Sequence, residues 1–155
     1  MFSISEMDQP TVLLVDDDDQ VRGLCRMFLE ESGFQVFEAP NGLEALLLAV
    51  QRQGAFDLVV TDLVMPNMTG VELGKALREM WPHLNVLYMS GSCRETAGLE
   101  LPSDSPFLAK PFALQELVEA VDGCMHPWPK SKAETQARLG AITLSGSRFP
   151  RRFSH

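Results

Sequence analysis

The sequence has 155 residues, of which 45% are hydrophobic and 22% charged, as is typical of one globular domain with a sizeable core. Its formal net charge is −8, but residues 124–155 carry six of the 13 Lys and Arg residues and only one of the 21 Asp and Glu residues. The rest of the chain is therefore strongly acidic, which argues against nucleic acid as a direct partner because its phosphates would be repelled.

The first apolar run, TVLLV (11–15), is continuous, as expected of a parallel strand that is covered on both faces. It ends at four consecutive acids, Asp16 to Asp19. Asp18 or Asp19 is placed to cap a helix, and Gly33 follows the end of that helix. The helical spacing is seen in Val21, Leu24, Cys25, Phe28 and Leu29.

The second and third apolar runs lie on either side of another helical segment. FQVFEA (34–39) alternates and predicts a more exposed strand, whereas FDLVVT (56–61) predicts a buried one. Asn41 is placed to cap the helix between them, which stops near Gly54. The apolar positions of this helix are Leu43, Leu46, Leu47 and Val50.

A loop and a third helix follow the third strand. MPNMTG (65–70) indicates a loop by its Pro, Asn and Gly. Thr69 and Glu72 form a capping-box pattern that opens the helix, and Trp81-Pro82 closes it.

The remaining elements are two strands and a last helix. NVLYMS (85–90) and PFLAK (106–110) predict the strands, while residues 91–105 carry no clear helical signal. The last helix is lined by Leu114, Leu117, Val118 and Val121. We interpret residues 10–124 as one domain, and residues 125–155, which are basic with scattered Pro, Ser and Gly, as a flexible extension.

The three cysteines, Cys25, Cys93 and Cys124, show no spacing of a metal site. Their odd number, in a chain whose first residues do not resemble a signal peptide, favours reduced thiols inside the cell. The apolar runs are far shorter than the ~20 residues of a membrane-spanning helix. We therefore expect a cytoplasmic protein without a membrane partner.

Alternation of strands and helices predicts an α/β fold with a parallel sheet. Ligands of such sheets bind beyond the carboxyl ends of the strands, so the residues at those ends are the candidates for function. They are Asp16 and Asp17 after the first strand, Asp62 after the third, Ser90 at the end of the fourth and Lys110 at the end of the fifth.

Three carboxylates at one rim repel one another unless a cation lies among them. The candidate ligands are hard oxygens without His or Cys, which favours Mg²⁺. Asp18 and Asp19 instead favour the positive end of the following helix. With a Lys and a hydroxyl nearby, a carboxylate can accept a phosphoryl group, and Asp62 is the best nucleophile because it stands alone before the Met65-Pro66 turn.

Four blocks, VLLVDDDDQVR, DLVVTDLVMPNMTG, VLYMSG and FLAKPF, resemble the receiver domain of bacterial two-component response regulators. The forms LYMSG and FLAKPF look most like receivers attached to hybrid sensor kinases. The order and spacing of the four blocks over roughly residues 10 to 124 make the resemblance specific. It implies a doubly wound, flavodoxin-like sheet of five parallel strands in the order 2-1-3-4-5. It also implies a cis peptide bond at Lys110–Pro111.

The resemblance further implies a role for each candidate residue. Asp62 resembles the phosphoacceptor, and Lys110 the lysine that assists it. Metal ligands would be Asp17 directly, Asp16 through water, Asp62, and the backbone carbonyl of Val64, with Mg²⁺ as the cofactor. Ser90 and Phe107 resemble the hydroxyl and the aromatic residue of the conformational switch.

A receiver of this kind is not an enzyme beyond its own phosphorylation and slow autodephosphorylation. The expected donor is a sensor histidine kinase or a phosphotransfer protein, and the expected output is a downstream protein partner, with homodimerisation left open. Two alternatives remain at this point. One is a Mg²⁺-dependent phosphatase of the haloacid-dehalogenase type, although the residues after Asp16 lack its DxDxT pattern. The other is a binding module that is never phosphorylated, although such a module would not need the complete set of residues.

Overall fold

The computed structural model describes residues 9–91 and 105–125. The strands are Thr11–Val15 (β1), Gln35–Ala39 (β2), Leu58–Asp62 (β3), Val86–Ser90 (β4) and Phe107–Ala109 (β5). The helices are Asp19–Glu31 (α1), Gly42–Gln51 (α2), Gly70–Met80 (α3) and Leu114–Met125 (α4). Cys93, most of the poorly predicted segment 91–105 and nearly all of the basic extension lie outside the described residues.

The strands form one parallel sheet in the order β2-β1-β3-β4-β5, which confirms the predicted topology. The pairs Val15–Thr61, Asp62–Met89 and Ser90–Ala109 are in register. The carboxyl ends of the four strands β1, β3, β4 and β5 therefore meet along one edge of the sheet, where the candidate residues were expected.

Side chains of each strand alternate between two apolar layers. Val12 and Leu14 face the layer that holds residues of α1 and α4, whereas Leu13 and Val15 face the layer that holds residues of α2 and α3. Both faces of the sheet are thus covered, which explains why β1 reads as a continuous apolar run.

The starts of three helices agree with the predicted caps. The Asp18 side chain accepts hydrogen bonds from the backbone of Gln20 and Val21, and the Asn41 side chain accepts one from Glu44. The capping box of Thr69 and Glu72 opens α3, with both reciprocal bonds formed. These caps were predictable because each depends on residues only two or three positions apart.

Two strand boundaries differ from the prediction. β3 begins at Leu58 rather than at residue 56, because Phe56 still belongs to a turn in which its N–H donates to the carbonyl of Gly54 at 2.8 Å. It also includes Asp62, which pairs in register with Met89. At the other end of the fold, α4 continues to Met125, one residue beyond the predicted domain boundary.

Three of the four apolar positions that mark α2 in the sequence are exposed in the structure. Leu43, Leu47 and Val50 are 62%, 55% and 55% exposed, while the buried residues of α2 are Gly42, Ala45 and Ala49. Almost every position of this helix is apolar, so helical spacing alone could not select the inner face. Small residues face the core because the helix packs closely: a Cβ on Gly42 would lie 2.7 Å from Met68 Sδ.

Cys25 is buried in α1 and Cys124 is partly buried in α4, and both are free thiols. Within residues 9–91 and 105–125, no helix has the length and hydropathy that crossing a membrane requires.

Candidate functional site

The four consecutive acids occupy four different environments. Asp16 is 1% exposed and points into the sheet edge, where its Oδ1 accepts a hydrogen bond from the backbone N–H of Asp18 at 2.9 Å. Asp17 is exposed at the rim. Asp18 caps α1, and Asp19 lies in the first turn of α1, where its carboxylate pairs with Arg22 at 2.7 Å. The run is thus divided between the site and the start of the helix.

Asp62 is the last residue of β3, the central strand of the sheet, and 8% of its whole-residue surface is exposed. The loop after it folds back tightly, because the N–H of Gly70 donates to the carbonyl of Leu63 at 2.8 Å. A Cβ on Gly70 would lie only 2.2 Å from the carbonyl oxygen of Asp62. Glycine at the start of α3 therefore lets the helix approach the strand end that carries the carboxylate.

Lys110 joins the two buried carboxylates. Its Nζ lies 3.0 Å from Asp16 Oδ2 and 3.3 Å from Asp62 Oδ2, and its side chain is 21% exposed. Its backbone N–H donates to the carbonyl of Ser90 at 2.7 Å, which holds the end of β5 beside the end of β4. The Lys110–Pro111 peptide bond is cis, as the resemblance implied.

Asp16, Asp17 and Asp62 together form a group of oxygen donors. One carboxylate oxygen from each lies within 4.8 Å of the others. Since Mg²⁺ binds oxygen at 2.0–2.1 Å and keeps several waters, such a group suits Mg²⁺ held partly through water. Lys110 is paired with two of these three carboxylates and supplies a single positive charge, so the group stays net negative and favours a further cation.

The pKa values reflect this crowding. Burial raises the pKa of Asp62 from its ordinary 3.8 to about 6; the charge of Lys110 opposes the rise, and the charges of Asp16 and Asp17 add to it. Burial alone would lower the pKa of Lys110, but its hydrogen bond to Asp16 and the charge of Asp62 raise it above the ordinary 10.5. Lys110 therefore stays protonated, whereas Asp62 is half ionised near pH 6 and mostly ionised at neutral pH.

The other predicted site residues lie near the same edge. Ser90 ends β4 and is 2% exposed. Phe107 begins β5, is 4% exposed and belongs to the apolar layer of α2 and α3, so its ring is already inside the protein. Val64 lies two residues after Asp62, with 42% of its surface exposed. The sheet thus brings the predicted carboxylates, Ser90 and Lys110 to one edge, where Lys110 contacts Asp16 and Asp62 directly. Phe107 lies further back, at the start of β5, where it pairs in register with Tyr88.

Arg22 is a residue of this region that the sequence did not indicate. Its Nη1 donates to the carbonyl oxygen of Asp16 at 2.7 Å, and its Nε to Glu38 Oε1 at 2.9 Å. Its position three residues after Asp19 allowed a helical ion pair to be expected, but not the contact with the Asp16 backbone.

The sequence profile of the response regulator receiver domain matches residues 12–122. The chain belongs to this family. Receivers are phosphoacceptor domains of two-component signalling systems, and this assignment favours the phosphoacceptor hypothesis over the phosphatase alternative.

Similar receivers occur within longer proteins. Over 113 residues, the chain is 40% identical to the sensor kinase CckA of Brucella abortus (strain 2308). The aligned region covers 72% of this chain and 12% of CckA. Over 109 residues the chain is 34% identical to the transcriptional regulatory protein SrrA of Staphylococcus aureus (strain NCTC 8325 / PS 47), covering 69% of this chain and 44% of SrrA. The receiver thus spans less than half the length of these relatives.

Solved receiver structures share the fold. The receiver domain of the hybrid histidine kinase CckA superposes with a TM-score of 0.64 at 30% identity, covering 75% of this chain and 99% of that domain. A response regulator receiver protein from Sinorhizobium medicae WSM419 superposes with a TM-score of 0.67 at 29% identity, covering 77% and 97%. Both superpositions extend over nearly the whole of the compared receiver.

Proposed function

We propose that this receiver accepts a phosphoryl group on Asp62 from a phosphohistidine donor and then signals through a protein partner. The observation that carries the proposal is the bridge made by Lys110, whose Nζ lies 3.0 Å from Asp16 and 3.3 Å from Asp62. Two carboxylates and a cation thus lie together at one edge of the sheet, which supports Asp62 as the nucleophile and Lys110 as its counter-charge.

In the transfer, a carboxylate oxygen of Asp62 attacks phosphorus while the phosphorus–nitrogen bond of the donor breaks. The bonding pair stays on the imidazole nitrogen, and Asp62 becomes an acyl phosphate. Because the pKa of Asp62 is about 6, the carboxylate is mostly ionised and nucleophilic at neutral pH. Lys110 would counter the charge on the incoming phosphoryl oxygens.

Asp16, Asp17, Asp62 and the backbone carbonyl of Val64 would hold Mg²⁺. When bound, Mg²⁺ would neutralise charge on the phosphoryl group that is being transferred. The three carboxylate oxygens within 4.8 Å of one another support this assignment.

Ser90 and Phe107 would carry the signal. A hydroxyl at the end of β4 can donate to a phosphoryl oxygen on the neighbouring β3, and its movement would alter the packing of Phe107 on β5. Since Phe107 is 4% exposed, the rearrangement would begin from a buried ring rather than from a ring in solvent.

The donor would be a sensor histidine kinase or a phosphotransfer protein in the cytoplasm. Turnover would be limited to slow autodephosphorylation. The output would pass to a protein, with a second copy of the chain as one form of partner. The receiver would comprise residues 10–124, followed by the basic segment 125–155.

The test is to incubate the full chain with acetyl phosphate and Mg²⁺ and to follow its intact mass. We expect the wild type to gain the mass of one phosphoryl group and Asp62→Asn to gain none. Asp57→Asn is the matched control: it removes an exposed carboxylate just before the opposite end of β3, and it should label like the wild type. Labelling of Asp62→Asn at the wild-type level would contradict the proposal.

A further inference from the structure

The guanidinium of Arg22 connects three parts of the chain with three different nitrogens. Nη1 donates to the carbonyl oxygen of Asp16 at 2.7 Å, Nε to Glu38 Oε1 at 2.9 Å, and Nη2 to Asp19 Oδ1 at 2.7 Å. The side chain is only 11% exposed. Because a guanidinium is planar and its donors are fixed relative to one another, these bonds define its orientation as well as its position.

The bond to Asp16 acts on the backbone of the acidic loop. The carbonyl of Asp16 lies in the planar peptide unit that joins Asp16 to Asp17. Fixing this carbonyl therefore fixes the orientation of the plane from which the Asp17 backbone and side chain continue. The Asp16 N–H is tied to the carbonyl of Ala39 at 3.3 Å, a long contact, and its side chain is tied to Lys110. Arg22 holds the remaining polar group of this residue.

We propose that Arg22 is a positioning residue of the acidic site. It fixes the Asp16–Asp17 peptide plane against β2 and α1, so that both carboxylates approach Asp62. The consequence for metal binding rests on the proposed function, whereas the tether of the loop is a property of the chain alone.

A simple charge effect makes the opposite prediction. Removing a cation near three carboxylates would favour the binding of another cation, so Arg22→Met would tighten Mg²⁺ binding if Arg22 acted only through its charge. Loss of positioning would instead weaken it. Interactions that orient metal ligands from outside typically change metal affinity by about 10- to 100-fold.

Arg26 provides the matched control. It pairs through Nη1 with the same Glu38, and its Nε lies 3.4 Å from Glu30, so its contacts lie away from the acidic loop. Arg26→Met removes an equal charge and a contact with the same carboxylate. Each variant loses one contact with Glu38 and one ion pair within α1, to Asp19 for Arg22 and to Glu30 for Arg26, so the bond to the Asp16 carbonyl is the contact that only Arg22→Met removes without a counterpart.

The first measurement is calorimetric titration of the full chain with Mg²⁺, well below the unfolding temperature of each variant. We expect about 10-fold weaker binding for Arg22→Met and no weakening for Arg26→Met. Arg22→Lys keeps the charge but not the planar fork, and should still bind at least ~3-fold more weakly than the wild type. Unchanged or tighter binding by Arg22→Met would overturn the inference, as would wild-type affinity of Arg22→Lys.

The second measurement needs neither metal nor phosphodonor. The N–H of Asp18 donates to Asp16 Oδ1 at 2.9 Å, so its hydrogen exchange reports the order of the loop. Without Mg²⁺ we expect about 10-fold faster exchange at Asp18 in Arg22→Met and no change in Arg26→Met. Equal exchange in the two variants would overturn the tether.

These readouts separate the inference from the proposed function. If the wild type takes up no phosphoryl group, the proposed function fails, while faster exchange in Arg22→Met still supports the tether. If the wild type is labelled on Asp62 but Arg22→Met changes neither exchange nor Mg²⁺ affinity, only the inference fails.

Discussion

Two carboxylates of the same sheet, Asp62 on β3 and Glu38 on β2, have opposite surroundings. The side chain of Asp62 is 12% exposed and shares one lysine with Asp16. The side chain of Glu38 is 28% exposed and is held by two arginines, Arg22 and Arg26. Asp62 thus shares a single cation with another buried carboxylate, whereas Glu38 is bound by two cations.

The pKa values follow this difference. Burial raises the pKa of Asp62 to about 6, whereas hydrogen bonds from Arg22 and Arg26 lower the pKa of Glu38 below its ordinary 4.5. The charge on Glu38 therefore stabilises the fold, while the charge on Asp62 is kept at a cost in stability. A ligand with positive charge would stabilise the ionised form of Asp62. Glu38 already has two cationic partners, so such a ligand would stabilise it much less.

Removing Lys110 should increase the difference between Asp62 and Glu38 more than any other single change. Lys110→Met leaves Asp16 and Asp62 buried without their shared cation, and we expect a loss of about 3 kcal/mol in the free energy of unfolding near neutral pH, since breaking a buried ion pair is strongly destabilising. Chemical denaturation without Mg²⁺ measures the change. Mg²⁺ should recover part of the loss by supplying positive charge to the same carboxylates.

Lys75→Met is the control for this prediction, because Lys75 is an exposed lysine on α3. Its substitution should change the free energy of unfolding by less than about 0.5 kcal/mol. A Lys110→Met variant that is as stable as Lys75→Met would show that the two buried carboxylates do not depend on the lysine.

Removing the charge of Asp62 should abolish its cost in stability, and with it the difference from Glu38. Between pH 3.8 and about 6 the folded protein holds a proton on Asp62 that the unfolded chain has released, so stability falls as the pH rises through this window. The full shift corresponds to roughly 3 kcal/mol, at 1.36 kcal/mol per pKa unit. Without Mg²⁺, Asp62→Asn should thus be more stable than the wild type by about 2 kcal/mol near pH 8, with some of the gain offset by the weaker contact to Lys110.

Denaturation at several pH values tests the sign. The stability gain of Asp62→Asn should shrink as the pH falls and nearly vanish around pH 4, where Asp62 is protonated in the folded wild type. Addition of Mg²⁺ should reduce the gain, because it favours the ionised carboxylate. A gain that is independent of pH would show that packing, rather than charge, separates the two proteins.

The contrast also shows what the sequence could predict. The positions of Asp16, Asp62 and Lys110 followed from strand ends, because parallel strands bring their carboxyl ends to one edge. The caps at Asp18, Asn41 and Thr69 followed from neighbouring residues. The surroundings of Glu38 could not be predicted, because its two arginines come from a different element, α1. Long charged side chains on a helix usually point to solvent.

The inner face of α2 was unpredictable for a related reason. Helical spacing selects a face when polar and apolar residues alternate, but α2 is apolar almost throughout: it exposes Leu43 and Leu47 and buries Gly42, Ala45 and Ala49. Which residues lie inside depends on how closely the helix packs against Met68 and the sheet, and this is a tertiary property.

Glu38→Gln gives the smallest effect and the opposite sign to Asp62→Asn. The variant keeps the shape of the side chain but loses the charge that two arginines bind, and we expect a loss of about 1 kcal/mol near neutral pH, because the pair is partly exposed and screened. Since the pKa of Glu38 is lowered in the folded state, its stabilisation is present above the ordinary 4.5 and is lost as the pH falls through the lowered value.

Glu38→Gln and Asp62→Asn should therefore converge on the wild type at low pH from opposite sides. Salt distinguishes them further: raising the ionic strength should shrink the effect of Glu38→Gln, since solvent screens a partly exposed ion pair, and should change that of Asp62→Asn much less, since burial is its main cause. If Glu38→Gln were instead more stable than the wild type at neutral pH, the arginines would not stabilise the charge of Glu38, and the two carboxylates would be alike in destabilising the fold when ionised.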